Sequence, residues 1–301
     1  MSTAETDKLH IVIVNYKSTD FLSGCLASIP RHVAGIDISA TVLDNNSSDE
    51  SALGDLQQKY QWVEFILNQD NVGFARACNQ GISGRKPDLF LLLNPDTVVN
   101  GEAIAGCARF LLNNPEAGIA GCRILNPDGT VQKASRRNIP TPGAALLHFS
   151  GLHRLARHSR RVKPYHPEGL DGSKPLASEA VSGSFLMFKR QVGLDIHFLD
   201  EDFFMYGEDL DFCFRAQQAG WKTFYLPGVS ILHHKRISSS RSAEKAEFHF
   251  YQSMEIFYIK HFYHKDNLIK RNLVLLGIKL LRAFAGAKRR LTGRQEVGAE
   301  G

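Results

Sequence analysis

The sequence has few cysteines, and they are not arranged as a metal site or a disulfide framework. They are odd in number and far apart, and no Cys-x-x-Cys pair occurs. This spacing excludes a zinc ribbon or a dithiol redox site and predicts reduced thiols in the core of a cytoplasmic protein. The cysteines are Cys25, Cys78, Cys107, Cys122 and Cys213.

Long apolar segments are also absent. The first ten residues, MSTAETDKLH, contain acids and no apolar stretch, so neither a signal peptide nor an anchor is expected there. The apolar run at residues 273–278 is far shorter than a bilayer span, which takes about 18–20 residues. The sequence therefore predicts a chain with no membrane-crossing segment.

Acids are scarce in two parts of the chain. Residues 131–163 contain eight Lys or Arg and no acid, and residues 265–301 contain nine Lys or Arg against three acids. Because the whole chain has a net charge of +5, the remaining residues carry −9. An acidic body with two basic segments predicts a cation-linked site and surfaces that meet anions. No nucleic-acid recognition motif occurs, so nucleic acid is not expected as a partner.

The sequence does contain enough apolar residues, 43% of 301, for a large α/β core. Apolar runs that each end in a polar cluster alternate with helical patterns, which predicts βαβ units and a mostly parallel sheet. The polar clusters would then collect at one sheet edge. In DLFLLLNPDTVV, residues 88–99, the abrupt end at Asn94-Pro95-Asp96 is either a simple turn or a ligand at that edge. The runs are 9–14, 38–43, 63–67 and 89–93.

The second half of the chain is less regular. The basic, Pro-rich insert 131–178 is expected to be a partly mobile loop with one short helix. Further elements are predicted as strands at 119–125, 180–188 and 229–234, a helix at about 208–219 closed by Gly220, and helical structure from 243 to about 291.

Two segments of the first half carry candidate binding residues. Asp44 follows a strand, where its carboxylate either binds a ribose or nucleobase or caps the turn DNNSSD. Gly73, Ala75 and Ala77 are small residues at a predicted helix start. They would let a phosphate approach the helix N-terminus, or they would only permit tight packing.

Two segments of the second half carry candidate catalytic or metal-binding residues. Glu208 and Asp209 begin a helix after a stretch of acids and aromatics, a setting that tunes a carboxylate as a general base. Asp211 and Arg215, four residues apart, are expected to form a structural pair. His233 and His234 end a strand near the acidic edge, so one of them is a candidate metal ligand.

The order of these motifs resembles the family 2 glycosyltransferases, in particular the rhamnosyltransferase-like branch that builds bacterial surface polysaccharides. The motifs are VNYKS, LDNNSSD, NVGFARACN, LLLNPD, SGSFLMFKR, FFMYGEDLDFCFRAQQAGW and LHH, within about residues 9–235. The resemblance implies an α/β GT-A fold, a Rossmann-like, mixed but mostly parallel sheet flanked by helices, here with a helical C-terminal extension. It also implies a nucleoside diphosphate sugar donor, a divalent metal (Mg²⁺ or Mn²⁺) and inversion at the anomeric carbon.

On this basis residues 9–235 are expected to form the GT-A domain, and residues 236–301 the extension. The nucleotide-binding half would be 9–98 and the acceptor-binding half 99–235. The expected donor is dTDP-rhamnose, with a UDP-sugar as the main alternative. The expected acceptor is a glycan or a polyprenyl-diphosphate-linked sugar.

The resemblance also implies roles for single residues. Asp209 is expected to be the catalytic base, with Glu208 beside it, and Asp96 the metal-binding acid, with His233 or His234 as a ligand to metal or diphosphate. The family's Asp-x-Asp is Asn94-Pro95-Asp96 here, so weaker metal binding is expected. The implied nucleotide-binding residues are Asn15, Asp44, Asn46, Asn71, Gly73, Arg76 and Asn94, and the implied acceptor-binding residues are Ser182, Gly183, Ser184 and Tyr206.

Two rival functions stay open. A sugar-nucleotide pyrophosphorylase normally has a Gly-rich loop with Arg or Lys after its first strand, whereas VNYKSTD has no glycine. A nucleotide- or glycan-binding scaffold without catalysis is the second rival.

The C-terminal segment 266–291 predicts a basic amphipathic helix. It would either bind an anionic membrane surface, at the inner face of the cell membrane, or pack on the domain or on a second subunit of a homo-oligomer. Its apolar residues at helical spacing are Ile269, Leu273, Leu276, Leu280 and Phe284, and its basic residues include Lys270, Arg271, Lys279, Arg282 and residues 288–290.

Overall fold

The computed structural model describes residues 6–139, 165–167, 172–234 and 243–297, and for 243–244 and 287–297 it describes the backbone alone. The strands are β1 Asp7–Asn15, β2 His32–Val33, β3 Ile36–Asp44, β4 Val63–Leu67, β5 Leu89–Leu93, β6 Thr97–Val98, β7 Ala117–Leu125, β8 Arg136–Arg137, β9 Leu176–Ser178, β10 Ala180–Val181, β11 Phe185–Lys189 and β12 Lys222–His233. The helices are α1 Thr19–Ser28, α2 Glu50–Lys59, α3 Phe74–Ile82, α4 Gly101–Asn113, α5 Arg190–Ile196, α6 Glu208–Gln218, α7 Ala243–His261 and α8 Leu268–Val297.

Ten strands form one sheet in the order β2-β3-β1-β5-β11-β7-β12-β6, with β4 also paired to β3 and β9 to β12. Strands β4, β3, β1 and β5 run parallel, as do β7 and β12, and the antiparallel β11 joins these two blocks. Helices cover both faces of the sheet. This confirms the predicted mixed sheet, in which the long ladders are parallel. All five cysteines are buried and free.

Strand β5 accounts for the apolar run LFLLL, because all five of its side chains are buried. Leu89, Leu91 and Leu93 face the core layer that contains α1 and α4. Phe90 and Leu92 face the opposite layer, which contains α3 and α6. Burial of one such side chain contributes about 1.5–3 kcal/mol. The strand therefore packs against both layers, and this packing fixes the position of the residues that follow it.

Three predicted boundaries were wrong. Residues 180–188 form two strands, because Ser182-Gly183-Ser184 turns the chain from β10 in a small sheet to β11 in the large one. The predicted strand 229–234 is the end of the longer β12, whose register shifts beside Pro227, a residue without a ladder N–H. The helical region after 243 is two helices, with a break that contains the 3₁₀ turn Tyr263–Lys265.

The described part of the basic insert contains a 3₁₀ turn, Lys133–Ser135, and the short strands β8 and β9. Strand β8 pairs with β10 in a separate two-stranded antiparallel sheet. The rest of the predicted loop, 140–164 and 168–171, lies outside the described residues. So does the predicted domain boundary at 235, which stays a prediction.

The C-terminal extension packs on the main domain through α7. The ring of Phe214 in α6 contacts the rings of Phe257 and His261. His261 Nε2 lies 2.7 Å from Asp211 Oδ1, and Arg215 Nε donates to Asp211 Oδ2 at 2.6 Å. The predicted Asp211–Arg215 pair is therefore present and also binds the extension. Among the helices of the described ranges, none has the length and apolar content to span a bilayer.

Candidate active site

Polar residues from several strands meet at one edge of the sheet. Asn15 and Asp44 end β1 and β3 and lie opposite each other in parallel register. The short strand β6 follows Asp96 and pairs with the end of β12, which sets Thr97 opposite His233. Because β5 runs parallel to β1, the turn after β5 opens at the same edge. The predicted collection of polar residues at one edge is confirmed.

Asp44 is buried, and its carboxylate is held by its own loop. Oδ1 accepts hydrogen bonds from Asn15 Nδ2 at 2.7 Å and from the Ser47 hydroxyl, and Oδ2 accepts one from the Ser47 N–H at 2.9 Å. The Asp44 carboxylate therefore caps the turn DNNSSD, which was one of its two predicted roles. A carboxylate offers about four acceptor positions, so these three bonds leave room for a donor from a ligand. The predicted nucleoside contact stays a prediction.

Asparagines hold together the loops beside Asp44. Asn45 Nδ2 lies 3.2 Å from both Asn71 Oδ1 and the Gly73 carbonyl oxygen and donates to each. Asn46, whose φ is 60°, donates from Nδ2 to the carbonyl oxygen of Gln69, in the loop after β4, at 2.7 Å. These bonds place Asn46 and Asn71 beside Asp44, and their role as nucleotide ligands stays a prediction.

Gly73 precedes α3 and packs against the segment before α6. Its φ is 88°, and a Cβ there would lie 2.8 Å from the Phe204 carbonyl oxygen, so only glycine fits. The same oxygen accepts a hydrogen bond from the Phe74 N–H at 2.8 Å. Gly73 therefore permits tight packing, as one of its two predicted roles requires. The Phe74 N–H, one of the helix amides predicted to bind phosphate, already donates to Phe204. Arg76 is exposed and lies 3.8 Å from Glu201.

Asp96 and His233 lie side by side. His233 Nε2 is 3.1 Å from Asp96 Oδ1, and both side chains are 8% exposed. His233 Nδ1 lies 3.0 Å from Gln132 Oε1, while Gln132 Nε2 donates to the His233 carbonyl oxygen at 3.0 Å. These contacts place the ring proton of His233 on Nδ1, where it is donated to Gln132, and Nε2 faces the Asp96 carboxylate. The ring of His234 lies against Phe21, so His233 is the histidine beside Asp96.

The Asp96–His233 pair fits a divalent cation. With a proton on Nδ1, Nε2 is an acceptor atom 3.1 Å from Asp96 Oδ1, so an imidazole nitrogen and a carboxylate oxygen lie close enough to bind one cation. Asn94 Nδ2 is 3.3 Å from the same Nε2. In the part of the chain that the structure describes, no three His, Cys, Asp or Glu side chains form a metal cluster. A cation here would therefore take further ligands from phosphate and water.

The Ser182-Gly183-Ser184 turn connects this pair with the carboxylates of α6. Asn94 donates to Ser184 twice at 3.2 Å, from Nδ2 to Oγ and from its N–H to the carbonyl oxygen. At the other end, the Gly183 N–H donates to Asp209 Oδ2 at 2.8 Å. A Cβ on Gly183 would lie 3.3 Å from Asp209, so glycine permits this close approach. The predicted acceptor-binding turn thus lies between the two halves of the site.

Asp209 lies in the first turn of α6 and forms a buried ion pair with Arg137 of β8. Arg137 Nη2 donates to Asp209 Oδ2 at 2.6 Å and to the Val181 carbonyl oxygen at 2.8 Å, and both charged side chains are 11% exposed. Burial lowers the pKa of Arg137, but the Asp209 carboxylate more than offsets this, so the guanidinium stays charged. The predicted base is therefore held by one guanidinium and by two backbone N–H groups, those of Gly183 and Leu210.

Glu208, the neighbour of Asp209, is in a different electrostatic state. Burial, together with the negative charge of Asp209, raises the pKa of Glu208 to about 8. Its Oε2 is a buried atom with no hydrogen-bond partner in the described part of the chain. Glu208 therefore keeps its proton near neutral pH, whereas Asp209 has a cationic partner.

Tyr206 and Gly207 give α6 its abrupt start. Both have positive φ, 68° and 78°, which is strained for tyrosine. A Cβ on Gly207 would lie 3.2 Å from Ser253 of α7, whose Oγ donates to the Met205 carbonyl oxygen at 2.9 Å. The extension therefore supports the segment that positions both carboxylates. The acceptor role of Tyr206 stays a prediction.

Sequence reasoning did not single out Arg137 or Gln132, both from the basic insert. For Arg137 a signal was present, because a charged acid at a helix start can pair with a cation and the acid-free part of the insert, residues 131–163, contains eight Lys or Arg. For Gln132 no local signal exists, since its contact with His233 joins residues 101 positions apart.

A mixed sheet with polar loops and two linked charged centres at its carboxyl edge is typical of an α/β enzyme whose active site lies at that edge. The family model described as "Glycosyltransferase like family 2" matches residues 7–251. The chain belongs to this family and is a glycosyltransferase.

Relatives of known name cover most of the chain. The N-acetylglucosaminyl-diphospho-decaprenol L-rhamnosyltransferase of Mycobacterium tuberculosis is 29% identical over 252 residues, 78% of this chain and 79% of the relative. The low-salt glycan biosynthesis hexosyltransferase Agl10 of Haloferax volcanii is 29% identical over 241 residues, 78% of this chain and 70% of the relative.

A solved structure confirms the fold. The mannosyltransferase PcManGT of Pyrobaculum calidifontis, in complex with GDP-Man and Mn²⁺, matches with a TM-score of 0.57 at 13% identity. The match covers 99% of this chain and 81% of that one. At this identity the likeness shows the GT-A fold alone, as predicted from the sequence motifs.

Proposed function

We propose that the protein transfers rhamnose from dTDP-rhamnose to a lipid-linked glycan acceptor in cell-surface polysaccharide synthesis. Similarity to the Mycobacterium tuberculosis enzyme supports this proposal, since the name of that enzyme gives an L-rhamnosyl group and a diphospho-decaprenol acceptor. The observation that carries the proposal is the pair of centres at the two ends of the Ser182–Ser184 turn, Asp96–His233 and Asp209–Arg137. Glycosyl transfer needs one centre for the leaving diphosphate and one for the acceptor proton.

The proposed reaction is one in-line displacement. The acceptor oxygen attacks the anomeric carbon as its proton passes to Asp209, and the bond to the diphosphate oxygen breaks on the opposite face of the sugar. The configuration of the anomeric carbon is therefore inverted.

The hydrogen bonds of Asp209 indicate which oxygen would take the proton. Oδ2 accepts from Arg137 and Gly183, whereas Oδ1 accepts from the Leu210 N–H at 2.8 Å. Oδ1 therefore keeps acceptor capacity, while Arg137 and Gly183 hold the carboxylate in one orientation. Glu208, protonated near neutral pH, adds no second negative charge beside the base.

The nucleoside diphosphate would lie along the other half of the edge. Asp96 and His233 would hold a divalent cation, with Asn94 beside them, and Gln132 would keep the proton of His233 on Nδ1, so that Nε2 would be the ligand atom. Such a cation would neutralise charge that develops on the leaving diphosphate. The proposed contacts to the nucleoside and phosphates are Asn15, Asp44, Asn46, Asn71, Gly73 and Arg76.

The proposed place of action is the cytoplasmic face of the cell membrane, because a polyprenyl diphosphate acceptor is held in a bilayer by its lipid chain. Ser182, Ser184 and Tyr206 are proposed to contact the sugar of that acceptor, since the turn lies between the two centres.

The test is a transfer assay with the purified full-length chain, Mg²⁺ or Mn²⁺, and a polyprenyl-diphospho-N-acetylglucosamine acceptor. We expect acceptor-dependent release of dTDP from dTDP-rhamnose and radiolabelled rhamnose in the lipid fraction. Transfer from UDP-sugars alone would contradict the proposed donor. Nucleotide binding without turnover would favour a scaffold, and formation of nucleoside triphosphate from pyrophosphate would favour a pyrophosphorylase.

A further inference from the structure

Helix α8 has two apolar faces, and one of them packs against α7. Val274 and Ile278 are buried at 4% exposure each and form a small core with Tyr258 of α7. Arg271 stacks over the Tyr263 ring, 4.5 Å from its centroid, and its Nε donates to the Tyr263 carbonyl oxygen. These contacts fix the rotation of α8 about its axis and hold it against the rest of the extension.

The other apolar face of α8 is exposed. Five large side chains on it are between 53% and 74% exposed. At 100° per residue their positions cluster within about 80° on the helix circumference, away from Val274 and Ile278. This apolar stripe consists of Ile269, Leu273, Leu276, Leu280 and Phe284. From its first to its last residue it runs about 22 Å, at 1.5 Å per residue.

Basic residues border the apolar stripe. Lys270 and Lys279 are exposed and lie on opposite sides of the stripe. Lys270 is paired with Asp266, and Arg282 lies over the Phe248 ring at 4.2 Å. Over residues 267–295 the sequence has eight Lys or Arg and no acid. The stripe therefore lies on a segment with a net positive charge.

The positive charge around the stripe distinguishes between two partners, a second copy of α8 and an anionic lipid surface. A second copy of α8 would cover the apolar side chains but would bring two acid-free segments of eight basic residues together, and their repulsion opposes that pairing. An anionic phospholipid surface takes up the apolar side chains and attracts the basic ones. We propose that α8 lies in the interface of an anionic bilayer, parallel to its plane, with the apolar stripe toward the acyl chains.

This docking would connect the lipid surface to α6 through α7. Helix α7, which carries α8, is bonded to the segment before α6 and to α6 itself. Lys260 Nζ lies 2.7 Å from Asp200 Oδ2, Ser253 donates to the Met205 carbonyl oxygen, and His261 contacts Asp211. The extension therefore connects α8 to the segment that begins α6.

The test is co-sedimentation of the full-length protein with vesicles of phosphatidylcholine alone and of phosphatidylcholine with phosphatidylglycerol. We expect binding to the anionic vesicles only, with a loss of at least ~10-fold in partitioning for the triple variant Leu273→Gln, Leu276→Gln, Leu280→Gln. The matched control is Leu67→Gln with Leu194→Gln, two exposed leucines outside the extension, which should bind as the wild type does. Lys279→Gln should reduce partitioning about 5-fold at low salt, the value for one basic residue at an anionic surface.

Equal vesicle binding by the wild type and the triple variant would overturn the proposal. So would concentration-dependent dimerisation in analytical ultracentrifugation that the triple variant abolishes, since that result assigns the stripe to a second copy. Neither measurement contains donor or acceptor, so failure of the proposed rhamnosyl transfer would leave the result unaffected.

Discussion

Replacing Asp209 by Asn should reduce both turnover and stability, and the two effects have separate causes. The substitution keeps the shape of the side chain but removes the charge opposite Arg137, and both side chains of that pair are 11% exposed. Leaving one partner of a buried pair unpaired costs about 3–5 kcal/mol. We expect about 3 kcal/mol, because the Gly183 N–H can still donate to an amide oxygen. From the sequence alone the same substitution would be expected to leave folding intact, since the ion pair is not visible there.

The loss of turnover should be at least ~100-fold, the lower end of what a general base contributes. The matched control is Asp211→Asn, two residues further along α6, which breaks a buried pair with Arg215 and His261. Both variants should unfold at lower urea concentration, but only Asp209→Asn should lose turnover measured well below its unfolding transition. If Asp209→Asn turns over within a few-fold of Asp211→Asn, Asp209 is not the base.

Three further predictions concern neighbouring residues. Glu208 has a pKa raised from 4.5 to about 8, so between these values the folded protein binds a proton that the unfolded chain has lost, and stability falls as pH rises. Glu208→Gln should remove this fall in urea unfolding between pH 5 and 8.5, and parallel pH profiles would contradict it. Asp96→Ala should abolish metal-stimulated turnover with little change in melting temperature; unfolding instead would favour a purely structural turn. Gln132→Leu should weaken Mn²⁺ binding in the presence of dTDP about 10–100-fold by calorimetry, and unchanged binding would remove Gln132 from the site.

The first half of the fold could be predicted because its strands are short apolar runs with polar ends. The run Leu89–Leu93 is buried on both faces, so its composition alone indicates a central strand. Residues 180–188 could not be divided correctly, because the Ser-Gly-Ser turn is held by Asn94 and Asp209, residues far away in the sequence. Contacts of this kind leave no periodic pattern.

The candidate site shows the same limit. Asp96, Asp209 and the two histidines are candidates from the sequence because each begins, ends or follows a regular element, and their roles, which the family resemblance implies, stay predictions. The sequence could not decide between His233 and His234. Successive side chains of a strand point to opposite sides, but the sequence does not show which of the two sides faces the site. Arg137 and Gln132 lie on the basic insert, and their partners are brought near only by the pairing of β8 with β10 and the end of β12.

The central claim, inverting sugar transfer from a nucleoside diphosphate donor, is tested most directly by the configuration of the product. The full-length protein would be incubated with ¹³C-labelled dTDP-rhamnose, Mg²⁺ and the lipid-linked N-acetylglucosamine acceptor, and the one-bond anomeric C–H coupling of the glycoside read by NMR. The account predicts a single glycoside of inverted configuration, absent with Asp209→Asn. A product of retained configuration, or equal product from that variant, would contradict it.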